Sequence, residues 1–161
     1  MRALVMVVAC MAATHAVAAE PVQQPPAAAS CNALWETAGL QGEQKEALLV
    51  VLSPRMVYAF KEWRRMSGVA AAAGFAVVAV RDPRVPQSEW LSAVHAAGLP
   101  ELASVPEVDA DQAGHCGLLN HFPSTLVGRC GHPHPWPILG VMPSAPWLSL
   151  LMQRREAIAC P

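Results

Sequence analysis

The chain has 161 residues, of which 53% are hydrophobic and 14% are charged, and its formal net charge is −1. This length is typical of one domain with one sizeable core. Eleven basic side chains stand against twelve acidic ones, and the basic residues form no stripe along the sequence. Nucleic acid is therefore not expected as a partner.

The amino terminus has the pattern of a secretory signal peptide. Arg2 supplies a positive start, residues 3–13 are almost wholly apolar, and small side chains follow at a cleavage site. A membrane anchor is the alternative, but a span needs about 20 apolar residues. We predict a signal peptide over 1–19, a flexible leader over 20–30 and one domain over 31–161. The location should be periplasmic or secreted, without stable membrane insertion after cleavage.

Two continuous apolar runs, ALLVVL at 47–52 and FAVVAV at 75–80, predict central strands that are buried on both faces. A helix between them makes the two strands parallel. Two further strands, joined by a short Pro-rich turn, should be antiparallel. The predicted elements in chain order are helix 31–42, strand 47–52, helix 55–73, strand 75–80, helix 88–97, a strand opened by Pro123, strand 138–142 and helix 146–156. The fold class is therefore α/β, with a mixed central sheet of two parallel strands and an antiparallel hairpin, flanked by helices.

That element order resembles the thioredoxin-like fold over roughly residues 45–157. The stretch Ser53–Met56 falls where this family has its redox C-x-x-C, between the first central strand and the following helix. The stretch 122–125, Phe-Pro-Ser-Thr, resembles the family's cis-proline segment, which faces that corner. The resemblance implies a three-layer thioredoxin-like sandwich and a cis peptide bond before Pro123.

The corner departs from the family in its chemistry. Thiol exchange needs an attacking thiolate and a leaving thiol within reach, and Ser53 and Met56 supply neither. A serine hydroxyl without a neighbouring base is a poor nucleophile. We therefore expect no catalytic residue, no cofactor and no metal here, and we interpret the corner as a recognition surface. The candidate surface consists of Ser53, Pro54, Arg55, Met56, Phe122 and Pro123.

Four cysteines remain after the signal peptide is removed: Cys31, Cys116, Cys130 and Cys160. An even number in an oxidising compartment predicts two disulfides. In the predicted fold, the first two cysteines lie at the carboxyl end of the parallel strands and the last two lie at the opposite end. We expect the pairs Cys31–Cys116 and Cys130–Cys160. The other possibility is Cys31–Cys160 with Cys116–Cys130.

One cluster has metal-ligating residue types: His115 and Cys116, together with Cys130, His132 and His134. Imidazole and thiolate suit copper or zinc. However, the spacing fits no structural zinc pattern, and both cysteines have a use in disulfides. A solvated, Pro-stiffened turn is the favoured interpretation.

Two functions follow from these features. The main interpretation is a non-catalytic periplasmic binding or assembly protein with a protein partner in the cell envelope, because extended peptides dock beside such a corner. It is similar to secreted thioredoxin-like proteins of conjugative transfer and mobile elements that lack the dithiol; the stretch VVLSPRM at 50–56 followed by an alanine-rich helix carries this similarity. The alternative is a periplasmic thiol-redox or metal-handling protein that uses Cys116, Cys130 and the nearby histidines.

Overall fold

The computed structural model describes residues 28–42 and 46–160. The predicted signal peptide lies outside these residues, as does most of the predicted leader. The first helix begins at Ala28, so the last three residues of the range assigned to the leader are helical. In the described residues, no helix is both long enough and apolar enough to span a membrane.

Helices and strands follow one another nearly in the predicted order. The helices are α1 (Ala28–Thr37), α2 (Val57–Ala72), α3 (Gln87–Ala97), α4 (Ala110–His115) and α5 (Ser144–Glu156). The strands are β1 (Ala47–Leu52), β2 (Ala76–Arg81), β3 (Ser124–Arg129), β4 (His132–Pro133) and β5 (Ile138–Leu139). A short 3-10 turn at Pro100–Leu102 joins α3 to the loop before α4.

The strands form one mixed sheet in the order β2-β1-β3-β4, with β5 also paired to β3. Strands β1 and β2 are parallel and start together, with Ala47 opposite Ala76. Strand β3 runs antiparallel to β1, so Ser124 lies opposite Val51. We call the end of the sheet at Leu52 and Ser124 the upper end, and the end at Ala47 and Gly128 the lower end.

The predicted last strand, 138–142, is much shorter in the structure. Only Ile138 and Leu139 pair, and they pair with the upper end of β3, whereas β4 pairs with its lower end. Prolines cannot donate a ladder hydrogen bond, and the segment between β3 and α5 contains four of them. Gly140 then turns the chain at φ 80°, which ends the strand.

The core lies on both faces of β1, whose six residues are all buried. Such complete burial explains why its sequence shows no alternation of polar and apolar residues. The Trp35 ring of α1 packs closely against β3: a Cβ atom at Gly128 would lie 2.1 Å from the Trp35 Cζ2 atom. Glycine is therefore required at that position of β3. Trp63 of α2 and Trp147 of α5 belong to this core and are 7% and 0% exposed.

Candidate functional site

The corner after β1 has the position that the resemblance implied. Ser53 to Met56 form a tight turn in which the Met56 N–H donates to the Ser53 carbonyl at 3.0 Å, and α2 begins at the next residue. The Phe122–Pro123 peptide bond is cis, as expected. Because Ser124 pairs with Val51, the cis-proline segment and the corner lie side by side at the upper end of adjacent strands.

A buried carboxylate lies beneath this corner. Asp82 follows the last residue of β2 and is 2% exposed, and Ser53 is 1% exposed. The Asp82 N–H donates to the Leu52 carbonyl at 2.8 Å, which holds this residue beside the end of β1. The Arg84 guanidinium donates to both carboxylate oxygens of Asp82, at 2.9 and 3.2 Å.

The surroundings of Asp82 keep it ionised. Burial alone would raise the pKa of this carboxyl, but hydrogen bonds from Arg84 and Ser53 outweigh burial and place the pKa below the usual 3.8. The sequence analysis did not identify Asp82 as a site residue. The available signal was its position: a carboxylate directly after a buried strand that is parallel to β1 must lie near the corner.

Two further contacts shape the surface of the corner. Arg55 forms a two-pronged ion pair with Glu89 of α3, with both distances 2.9 Å; this hydrogen-bonded pair raises the pKa of Arg55 and lowers that of Glu89. The Arg84 guanidinium also stacks over the Phe122 ring at 5.4 Å. A cavity of about 410 Å³ opens between these side chains.

The corner has a cavity that could receive a ligand, but its serine is not a reactive nucleophile. The Ser53 hydroxyl is buried and hydrogen-bonded to the Asp82 carboxylate. Because the pKa of Asp82 is lowered, this carboxylate is too weak a base to activate the hydroxyl as a nucleophile. His121 lines the same cavity. It packs against the backbone, since a Cβ atom at Gly140 would lie 3.0 Å from His121 Cδ2. Of the six predicted surface residues, Ser53, Arg55, Met56 and Phe122 line this cavity, whereas Ser53, Phe122 and Pro123 are buried.

The structure contains two disulfides, Cys31–Cys116 and Cys130–Cys160, which is the pairing expected above. The first joins α1 to the end of α4, and its cysteines are 1% and 0% exposed. It belongs to the upper end, because the carbonyl of Leu118, two residues after Cys116, accepts a hydrogen bond from the Ser124 hydroxyl at 2.6 Å.

The second disulfide lies at the lower end. Cys130 and Gly131 both have positive φ, 53° and 78°, and make the two-residue turn between β3 and β4, a geometry that hairpins favour. Cys130 is half-buried, and Cys160, four residues after the last residue of α5, is exposed. One cysteine of this disulfide, Cys160, therefore lies at the surface, whereas both cysteines of Cys31–Cys116 are buried.

The predicted metal-like cluster is not assembled. His115 and Cys116 lie near the upper end, while Cys130, His132 and His134 lie at the lower end. Among residues 28–42 and 46–160, no three metal-ligating side chains converge. The His134 Nδ1 atom accepts a hydrogen bond from the Trp136 N–H at 3.1 Å. Burial lowers the pKa of His134, and the positive charge of Arg154 lowers it further.

No family model and no curated protein sequence matches the chain. Solved structures do match it. MTB DsbF, determined in mixed oxidised and reduced forms, is 17% identical with a TM-score of 0.51, and the match covers 72% of this chain and 84% of that one. A secreted Mycobacterium tuberculosis disulfide oxidoreductase, described as homologous to E. coli DsbE, is 20% identical with a TM-score of 0.48, covering 72% and 85%. A putative DsbE from Chlorobium tepidum is 18% identical with a TM-score of 0.49, covering 75% and 84%.

The likeness to DsbF establishes the fold. The chain has an α/β thioredoxin-like fold with a mixed sheet of one parallel pair and otherwise antiparallel strands. The predicted primary function, a non-catalytic binding or assembly protein, is wrong. The matching DsbF structure was determined in mixed oxidised and reduced forms, and this chain itself carries disulfides; these findings fit the alternative, a thiol-redox protein, better. The predicted place in conjugative transfer or envelope assembly was part of the same interpretation.

Proposed function

We propose that the protein takes part in thiol–disulfide exchange outside the reducing cytosol, and that Cys130–Cys160 is the exchanging disulfide. One observation carries this proposal: of the two disulfides, only this one presents a sulfur-bearing residue to solvent, since Cys160 is exposed while Cys31 and Cys116 are buried. Exchange requires a thiolate to reach a disulfide sulfur. The descriptions of the matching structures as thiol:disulfide interchange proteins add support.

The exchange is written with a dithiol polypeptide as substrate. A substrate thiolate attacks the Cys160 sulfur, the Cys130–Cys160 bond breaks, and Cys130 leaves as a thiolate. A second substrate thiolate attacks the substrate sulfur of the mixed disulfide, which releases Cys160 and a substrate disulfide. The substrate is oxidised by two electrons, the protein disulfide is reduced, and the two substrate protons pass to the cysteine thiolates. A low-molecular-weight disulfide such as glutathione disulfide returns the protein to its oxidised form.

Charges at the lower end favour Cys130 as the leaving group. Arg129 directly precedes Cys130 and lies 3.6 Å from Glu46, and Arg155 donates to the other oxygen of Glu46 at 3.1 Å. Arg154 and Glu156 lie in the same region, which therefore holds three arginines and two glutamates and has a net positive charge. Nearby arginines lower the pKa of a thiol and so stabilise the thiolate that exchange produces.

The rest of the fold can remain intact when this disulfide opens. Beyond α5, only the short segment 157–160 is tied by the bond, and within it Ile158 is buried. The buried disulfide and the residues around β1 hold the upper end independently. Reduction of Cys130–Cys160 should therefore release the segment 157–160 without unfolding the domain.

The corner is proposed as a separate surface that binds polypeptide at the upper end of the sheet, away from the exchanging disulfide at the lower end. In favour of this role are its cavity of about 410 Å³, the mixed polar and apolar lining, and the position beside the cis-proline segment. Ser53 contributes shape and a hydrogen bond to Asp82 rather than chemistry. Replacement of Ser53 by Ala should leave folding and exchange intact, and loss of exchange in this variant would contradict its assignment.

The decisive experiment measures which disulfide opens first. The oxidised protein is equilibrated in glutathione buffers of increasing reducing strength, free thiols are alkylated, and each cysteine peptide is quantified by mass spectrometry. We expect Cys130 and Cys160 to be labelled together in buffers that leave Cys31 and Cys116 protected. Oxidation of a dithiol peptide should proceed with glutathione disulfide present and be abolished in the Cys130→Ala/Cys160→Ala protein.

Ser92→Ala is the matched control for this activity, since it removes an exposed hydroxyl on α3 that lies outside the corner and outside both disulfides. The proposal is wrong if the double variant oxidises the peptide at the wild-type rate. It is equally wrong if Cys31–Cys116 is reduced in milder buffers than Cys130–Cys160.

A further inference from the structure

A groove runs between α2 and α3 on the outer surface of the molecule. Its volume is about 590 Å³, and its lining includes Val57, Phe60, Ala93, Ala96, Leu99 and Lys61. This volume lies within the range of sites that enclose small ligands, roughly 300–1,000 Å³. Such sites are mostly apolar with a few polar groups, which matches this lining.

The walls of the groove are unusually apolar for a surface. Val57, in the first turn of α2, is 73% exposed. After Glu89, α3 carries no charged residue up to its end at Ala97 except the weakly basic His95. A helix that faces water normally carries charged side chains on its outer face. The exposed part of α3 therefore has the composition of a contact surface.

The groove also carries one positive charge without a partner. Arg64 is occupied at its far end: it donates to the Gly98 carbonyl at 2.5 Å and lies 3.6 Å from Glu101. Lys61, in contrast, makes no ion pair within the described part of the chain. An ammonium group at the edge of an apolar groove is complementary to one anionic group attached to an apolar body.

We infer that this groove binds a long-chain carboxylate, with the alkyl chain between α2 and α3 and the carboxylate at the Lys61 ammonium. The exposed alanines of α3 leave room for a chain along the helix, and Phe60 and Leu99 supply the apolar floor. Lysine is a flexible point charge that suits a single carboxylate. This inference is independent of the proposed exchange at Cys130–Cys160, which lies at the lower end of the sheet.

The test compares three amphiphiles with the same twelve-carbon chain. Laurate, dodecanol and dodecyltrimethylammonium are titrated below their micelle concentrations into the full mature protein by calorimetry, with NMR shifts as a second readout. We expect laurate to bind tightest. Lys61→Gln should weaken laurate about fivefold, the size of one partly screened ion pair, and leave dodecanol unchanged.

The other side of α3 provides a matched control. A second cavity, about 510 Å³, is lined by Leu91, Val94 and Ala103 among others and includes no lysine or arginine. Ala96→Trp fills the first groove and Ala103→Trp fills the second; both positions are exposed, so both variants should fold, as circular dichroism will verify. We expect only Ala96→Trp to abolish laurate binding. The inference fails if the cationic amphiphile binds as tightly as laurate, if Ala96→Trp has no effect, or if Ala103→Trp removes binding instead.

Discussion

The two ends of the sheet contain the same kinds of groups in opposite surroundings. At the upper end, Cys31–Cys116 is buried between α1 and α4; at the lower end, Cys130–Cys160 faces solvent. A buried disulfide constrains the chain and is inaccessible to thiols, whereas an exposed one can exchange. The difference suggests a division of roles, with stability at the upper end and chemistry at the lower end.

The same contrast holds for the buried titratable groups. Asp82, at the upper end, is ionised because Arg84 and Ser53 compensate for its burial. His134, at the lower end, is held neutral because burial and the charge of Arg154 both oppose its protonation. The upper end therefore stabilises the negative charge of Asp82, whereas the lower end disfavours a positive charge on His134. Three predictions test this comparison, from the largest expected effect to the smallest.

The largest effect should come from removing each disulfide separately. Cys31→Ala/Cys116→Ala should lose roughly 2–5 kcal/mol of unfolding free energy, and Cys130→Ala/Cys160→Ala should lose less. Loop closure alone accounts for a difference of about 1 kcal/mol, because the bonds span 85 and 30 residues. Burial of the first pair adds to that difference. Urea unfolding under oxidising conditions measures both.

Equal losses in the two double variants would remove the contrast between the ends. A larger loss from the Cys130/Cys160 variant would reverse it, and would assign the lower disulfide to stability rather than exchange. The matched reference is the fully oxidised wild-type protein in the same buffer, since reduction during the measurement would mix the two effects.

The order of strands and the position of the corner were predictable because they depend on local signals. A run such as ALLVVL must be buried on both faces, and its bounds at Ala47 and Leu52 agree with the structure. The location of each cysteine relative to the strands then separated the upper pair from the lower pair. Both inferences use chain direction and short connections, which the sequence carries directly.

Other features depend on contacts between distant segments. The role of Asp82 requires knowing that the end of β2 lies beside Ser53 and that Arg84 folds back onto it. The groove depends on the separation of α2 and α3, which no residue pattern specifies. The shortness of β5 results from several prolines acting together with Gly140. The primary function was predicted wrongly because the corner lacks the thiols of the family, while the disulfide with a surface cysteine lies at the other end of the sheet.

An intermediate effect is expected at the upper end for Asp82→Asn. The substitution removes the charge that pairs with Arg84 at 2.9 Å, in a position that is 2% exposed. Loss of a buried, hydrogen-bonded charge should cost about 1–3 kcal/mol. The pKa of Asp82 is lower in the folded protein than the usual 3.8. Its contribution is therefore complete above pH 3.8 and is lost as pH falls through the folded pKa.

Urea unfolding at neutral pH and near pH 3 measures both the loss and its pH dependence. The wild-type protein should approach the stability of the variant as the pH falls through that range. Glu89→Gln is the control, because it removes a carboxylate from the exposed pair with Arg55 and should change stability little. If the two variants behaved alike, the burial of Asp82 would have no energetic consequence.

The smallest effect, and the one that probes the lower end, is the pH dependence caused by His134. Its pKa in the folded protein lies below the ordinary 6.5, so the unfolded chain takes up a proton that the folded protein resists. Stability should therefore be constant above pH 6.5 and decrease as pH falls from 6.5 to the folded pKa. His134→Gln should remove this slope, and His132→Gln, at an exposed position, should leave it. The His134 backbone N–H donates to the Val127 carbonyl at 2.7 Å, a bond that protonation of the imidazole leaves intact. Urea unfolding at neutral and at mildly acidic pH measures the slope, and equal slopes in the wild type and His134→Gln would contradict the assignment to this side chain.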